Sequence, residues 1–108
     1  MALRVLVADD SSVFRRAITD ALTGIPDVQV VGSAPNGKIA LQKVLDLKPD
    51  LLTLDMEMPE MDGLAVLAAL KQAGSTTSVM VISAVTLRGG RLTMQAASAI
   101  VLRPTPAL

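Results

Sequence analysis

The chain has 108 residues and balances ten Lys plus Arg against ten Asp plus Glu, enough for one core and no net charge. It has no His and no Cys, which excludes Ser–His–Asp triads, His-ligated metals, zinc clusters and disulfide frameworks. Neutrality and a single aromatic, Phe14, leave neither the basic surface nor the stacking platform that nucleic acid needs.

In chain order, Leu3 to Ala8 is an almost wholly apolar strand that ends on Asp9-Asp10-Ser11-Ser12, a polar cluster suited to capping a helix. The N-terminal apolar run is too short for a signal peptide, and no run approaches the ~20 residues of a membrane span. A soluble, cytoplasmic chain is expected. Phe14, Ala17, Ile18, Ala21 and Leu22 then recur at helical spacing, and Gly24-Ile25-Pro26-Asp27 stops that helix. Val28 to Gly32 reads as a second strand, Ala34 to Gly37 as a loop, and Ile39 to Leu47 as a second helix. The run Leu51-Leu52-Thr53-Leu54 is a strand buried on both faces and stops on Asp55. Pro59 and Asp62-Gly63 punctuate the next loop, and a third helix runs from Leu64 to Ala73 with Gly74 as its C-cap. Ser78 to Ser83 is a fourth strand. Arg91 to Ser98, after Gly89-Gly90, reads as a short fourth helix, and Ala99 to Leu102 as a fifth strand ended by Arg103-Pro104.

Alternating strands and helices imply right-handed crossovers and a parallel sheet. The expected fold is therefore α/β and flavodoxin-like, with five parallel strands in the order 2-1-3-4-5, a shortened fourth helix and no fifth helix. The whole chain, residues 1–108, is read as a single domain.

Gly32 to Lys38 nearly satisfies a phosphate-binding loop. However, Ile39 stands where a hydroxyl must reach magnesium, and Pro35 removes a backbone donor. A plain strand-to-helix loop is the better reading. The strand ends are more telling. In the flavodoxin-like order the first and third strands are neighbours, so Asp9, Asp10 and Asp55 converge at the ligand-binding edge of the sheet. Three carboxylates repel one another unless a cation sits among them. All-oxygen donors without His or Cys suit Mg²⁺. Ser83 and Arg103, at the ends of the fourth and fifth strands, add a hydroxyl and a fixed positive charge. Carboxylate nucleophile, metal, donor and cation together make a site for a transferring phosphoryl group.

Asp9-Asp10, Asp55 with Met58-Pro59-Glu60-Met61-Asp62-Gly63, Ser83 and Arg103-Pro104 resemble a response-regulator receiver domain. Arg4 to Ser11 with Arg15-Arg16-Ala17, Val30 to Ala34, Asn36-Gly37 and Leu54 to Pro59 are most similar to the receivers of chemotaxis protein-glutamate methylesterases (CheB). The resemblance covers roughly residues 3 to 104. It implies that Asp55 accepts a phosphoryl group from a phosphohistidine on a sensor histidine kinase. It implies a Mg²⁺ site of Asp10, Asp55 and the Glu57 backbone carbonyl, with Asp9 supporting through water. Ser83 would hold the phosphoryl oxygens and report the switch, and Arg103 takes the position of the family's lysine. Ile100 stands where the family's switch aromatic is expected.

By the same resemblance the chain is C-terminally shortened. The esterase's catalytic site belongs to an output domain absent from it, so the only chemistry expected here is self-phosphorylation and dephosphorylation at Asp55. A second reading is a degenerate receiver that serves only as a protein-interaction module. An aspartate-nucleophile phosphatase would need Asp-x-Asp at one strand end, which neither Asp9-Asp10 nor Asp55-Met56-Glu57 supplies. With no fifth helix, outward residues drawn from Leu52, Leu54, Val79, Val81, Ile100 and Leu102 are expected to meet water. A homodimer or higher assembly would then cover them.

Overall fold

The computed structural model describes residues 2–82, 85–88, 91–94 and 99–102, with side chains described as far as Ile82. The chain runs β1 (Leu3–Ala8), α1 (Ser12–Thr23), β2 (Val28–Ala34), α2 (Gly37–Leu47), β3 (Leu51–Asp55), α3 (Gly63–Gln72), β4 (Ser78–Ile82), β5 (Val85–Arg88), β6 (Arg91–Met94) and β7 (Ala99–Leu102). The main sheet has the order β2-β1-β3-β4-β7, and its first four strands are parallel. This is the flavodoxin-like arrangement expected from the alternation of strands and helices.

Each helix begins on a short polar side chain that satisfies a backbone N–H the helix itself leaves free. Ser11 Oγ accepts from the Phe14 N–H at 3.3 Å, Asn36 Oδ1 from Ile39 at 2.9 Å, and Asp62 Oδ1 from Ala65 at 2.9 Å. The far end of α2 is held differently. Lys48 adopts a left-handed conformation (φ 47°), and the Arg4 guanidinium reaches across from β1 to the carbonyls of Leu47 and Lys48.

Two apolar layers flank the sheet. On one side Leu6, Ala8, Leu52, Leu54 and Val79 pack against Ala40 and Val44 of α2 and Val66 and Leu70 of α3. On the other, Val5 and Val7 pack against Ile18 of α1, with Leu51 and Ile82 partly covered beside them. The backbone of β6 also lies beside α1.

Three expectations need correction. Leu52, Leu54 and Val79 do not meet water: they are 0%, 0% and 4% exposed. In register Val5 pairs with Leu51 and Val7 with Thr53, so the less covered face carries Leu51, Thr53, Met80 and Ile82 instead. Arg91–Met94 is not the start of a helix but a strand, paired antiparallel with Val85–Arg88. The two runs, Val-Thr-Leu-Arg and Arg-Leu-Thr-Met, are joined by Gly89-Gly90, a hairpin sequence. Finally, β7 takes the expected place beside β4 but runs antiparallel to it, with Val79 opposite Leu102 and Ile82 opposite Ala99. A parallel return needs a crossover of a dozen or more residues, usually helical. Here the hairpin takes up much of the connection. Residues 95–98 and 103–108, which include the rest of the expected fourth helix, Arg103 and the place of a fifth helix, lie outside the described residues.

Candidate functional site

The site forms where β1 and β3 end side by side. Pairing of Ala8 with Leu54 brings the next residues of each strand, Asp9 and Asp55, to the same edge. Asp9, Asp10 and Asp55 each offer a carboxylate oxygen, and these oxygens all lie within 4.8 Å of one another. Asp9 is only 8% exposed, whereas Asp10 is exposed and Asp55 half-buried. None of the three caps a helix, because Ser11 and Asp62 do that work. Helix capping therefore does not account for these carboxylates, although Asp9 and Asp55 each also accept from the N–H two residues on and so start their loops.

The backbone holds these side chains in place. The Asp9 N–H donates to the Ala34 carbonyl at 3.1 Å, and Asp9 Oδ1 accepts from the Ser11 N–H at 2.9 Å. On β3, Asp55 Oδ1 accepts from the Glu57 N–H at 3.1 Å. That bond turns the chain so that the Glu57 backbone sits beside the carboxylate, while the Glu57 side chain is exposed. The loop then closes through the Gly63 N–H donating to the Met56 carbonyl at 3.1 Å. Burial pushes the Asp55 carboxyl up to about 6, and the neighbouring charges of Asp9 and Asp10 push the same way against the Glu57 bond. Asp9 is raised as well, chiefly by burial.

The donor set fits a hard divalent cation. Carboxylate oxygens this close together, with Asp10 exposed and open to a hydrated ion, suit Mg²⁺, which binds through one or two carboxylates and keeps several waters. Of the residues expected here from the sequence, Asp9, Asp10 and Asp55 are brought together, and Glu57 meets Asp55 through its backbone N–H. Ser83 and Arg103 lie outside the described residues. Ile82, which precedes Ser83, pairs with Asp55 in register. At the start of α2, Gly37 packs directly on the Met61 carbonyl and Val66. That helix end faces protein, consistent with a plain loop in place of a phosphate-binding one.

Two features escaped the sequence reading. The Arg15 guanidinium donates to the Asp9 carbonyl at 2.8 Å, and only its position one turn into an expected helix hinted at this. Thr53 is the other. It lies two residues below Asp55 on the same face, 2% exposed, with a buried Oγ1 that has no hydrogen-bond partner among the described residues. A buried unsatisfied hydroxyl costs roughly 1–3 kcal/mol. Thr53→Val is therefore expected to raise stability by about 1 kcal/mol, read as a higher urea midpoint at unchanged slope.

The profile of the response regulator receiver domain matches residues 5–100. The chain belongs to the response regulator receiver family. Among curated relatives, a protein-glutamate methylesterase/protein-glutamine glutaminase of Nocardioides sp. is 47% identical over 97 residues, 90% of this chain and 26% of that protein. One from Moorella thermoacetica is 51% identical over 94 residues, 87% of this chain and 22% of that protein. The receiver thus spans about a quarter of the length of these relatives. The response regulator domain of Thermotoga maritima CheB superposes with a TM-score of 0.75 at 38% identity, covering 82% of this chain and 66% of that one. A CheX–CheY–BeF₃–Mg²⁺ complex from Borrelia burgdorferi matches with a TM-score of 0.71 at 30% identity, covering 76% of this chain and 62% of that one. Within that family it is similar to the receivers of CheB-type methylesterases. Among the described residues no helix is long and apolar enough to cross a membrane.

Proposed function

We propose that this receiver accepts a phosphoryl group on Asp55 from a phosphohistidine on a chemotaxis-type sensor histidine kinase in the cytoplasm. It would pass the change to a methylesterase-type output domain outside this chain. The observation that carries the reading is the convergence of Asp9, Asp10 and Asp55 within 4.8 Å, with the helix caps supplied by other residues. The similarity to methylesterase receivers supports the output, and the neighbouring structure named with beryllofluoride and Mg²⁺ supports the ligands.

Asp55 Oδ1 is engaged by the Glu57 N–H, which leaves Oδ2 free to attack phosphorus. The new P–O bond forms as the P–N bond breaks, and the imidazole leaves with the electron pair. Asp10, Asp55 and the Glu57 carbonyl would hold Mg²⁺, with Asp9 behind them. When bound, the ion supplies positive charge between the carboxylates and the phosphoryl oxygens. Ser83 would donate its hydroxyl to those oxygens, and Arg103 would pair with them. In this reading residues 1–108 work as one receiver. The partly covered Leu51 and Ile82 would support a homodimer.

Acetyl phosphate with Mg²⁺ is expected to add one phosphoryl mass, and borohydride is expected to reduce that acyl phosphate with loss of phosphate, leaving homoserine at position 55. Folded protein that binds Mg²⁺ yet takes no phosphoryl group would overturn the reading. Arg103→Ala is expected to leave Mg²⁺ affinity intact or slightly tighter and to weaken the response to beryllofluoride. The hairpin and the antiparallel β7 favour a second reading, a receiver fold kept as an interaction module without switching. Phosphoryl addition with no structural response would select it.

A further inference from the structure

Three carboxylates within 4.8 Å repel one another strongly when no metal is bound, and the fold must tolerate that state. Arg15 stands against it. From the second turn of α1, its Nη1 donates to the Asp9 carbonyl at 2.8 Å, in a partly buried position. The neighbouring Arg16 behaves differently: its side chain is 86% exposed and lies 3.9 Å from Asp20. The groups that bear on the Asp9 carboxylate are the Ser11 N–H, Asp10 and Arg15, and among the described residues Arg15 is the one cation of the set.

We propose that Arg15 is a positioning residue and the resident counter-ion of the acidic cluster. It fixes the turn that carries Asp9 and Asp10, and it offsets their charge until a divalent cation takes over. The inference rests on the reading of the cluster as a Mg²⁺ site. A guanidinium suits the role because it stays charged while its planar fork donates to the Asp9 carbonyl. The two positive charges compete for one task. By reciprocity of coupling, removing Arg15's charge tightens Mg²⁺ binding by the same factor by which Mg²⁺ diminishes Arg15's contribution to the fold. A guanidinium that only satisfied a backbone carbonyl would show no such coupling.

The test is Mg²⁺ titration of the whole chain at low salt, read by calorimetry and by the thermal midpoint. Arg15→Gln keeps an N–H donor and loses the charge. It is expected to lower the midpoint without metal and to bind Mg²⁺ about threefold to tenfold more tightly, an advantage that shrinks as salt is added. Arg15→Lys restores the charge and should return affinity close to wild type, and Arg16→Gln should change nothing. If Arg15→Gln does not fold without metal, Mg²⁺ is expected to refold it. Affinity equal to or weaker than wild type, or a chain still unfolded at saturating Mg²⁺, overturns the proposal. Wild-type protein with no response to Mg²⁺ would overturn the reading of the site and this inference together. A normal wild-type response matched by Arg15→Gln would overturn the inference alone.

Discussion

Asp55→Asn is expected to abolish the phosphoryl adduct completely and, in the absence of metal, to make the protein more stable at neutral pH. The first effect follows because an amide is not a nucleophile toward phosphorus under these conditions. The second follows from the direction of the Asp55 shift. Its carboxyl is pushed up to about 6 from 3.8, first by burial and then by Asp9 and Asp10. Between those values the folded state holds a proton that the unfolded chain has released. Stability from this group is therefore fully present below about pH 4, is lost as pH rises through about 6, and stays lost above it. Two pH units would be worth about 3 kcal/mol if undiluted. Asp55 is partly exposed, so solvent screening reduces that to about 1 kcal/mol. Asn keeps the oxygen that accepts the Glu57 N–H and removes the charge. The variant should match wild type near pH 4 and exceed it by about 1 kcal/mol at pH 8. Millimolar Mg²⁺ should reverse the order by stabilising only the ionised cluster. Denaturant curves across pH, with and without Mg²⁺, give the answer. An Asn variant no more stable than wild type at pH 8 without metal would show that the three carboxylates do not strain the fold.

That strain could be anticipated from the sequence because each of its parts is local. Leu3–Ala8 and Leu51–Asp55 are short apolar runs that end abruptly on carboxylates, and parallel neighbours bring such ends together. Ser11, Asn36 and Asp62 stand just before apolar periodic segments, where capping chemistry is readable residue by residue. What escaped was set by tertiary choice. A strand buried on both faces has no polar alternation, so nothing in Leu51-Leu52-Thr53-Leu54 says which residues share a side. Only the register with β1 puts Leu52 and Leu54 against α2 and α3 and turns Thr53 toward the α1 side. The hairpin was readable in principle. Val85-Thr86-Leu87-Arg88 and Arg91-Leu92-Thr93-Met94 alternate around two glycines, yet a fourth crossover helix fitted the general pattern better and took precedence. Arg15 looked like part of a wet helix face, because a side chain reaching six residues back to the Asp9 carbonyl just past β1 leaves no periodic trace.

Gly37→Ala is expected to destabilise the fold by about 3 kcal/mol, although replacing glycine by alanine within a helix normally helps by roughly 0.5–1 kcal/mol. Gly37 begins α2 and lies against the loop that follows Asp55. A Cβ there would overlap the Met61 carbonyl oxygen and sit 2.7 Å from its carbon and 2.8 Å from Val66 Cγ2. Two of these atoms belong to backbone, so no rotamer change relieves the contact, and α2 must separate from the loop. The loop contains Glu57, whose N–H holds Asp55 Oδ1 at 3.1 Å, and it closes through the Gly63 N–H on Met56. Moving Met61 therefore disturbs the turn that presents Asp55, and phosphoryl transfer should slow along with the loss of stability. Gly24→Ala is the matched comparison. Its φ of −77° is ordinary and the nearest atom to an added Cβ is 3.6 Å away, so a change within about 0.5 kcal/mol is expected. Urea denaturation of both variants, with acetyl phosphate labelling at 20 °C, separates the cases. A Gly37→Ala protein as stable and as readily phosphorylated as wild type would mean that α2 and the Met61 loop are not packed against each other in solution.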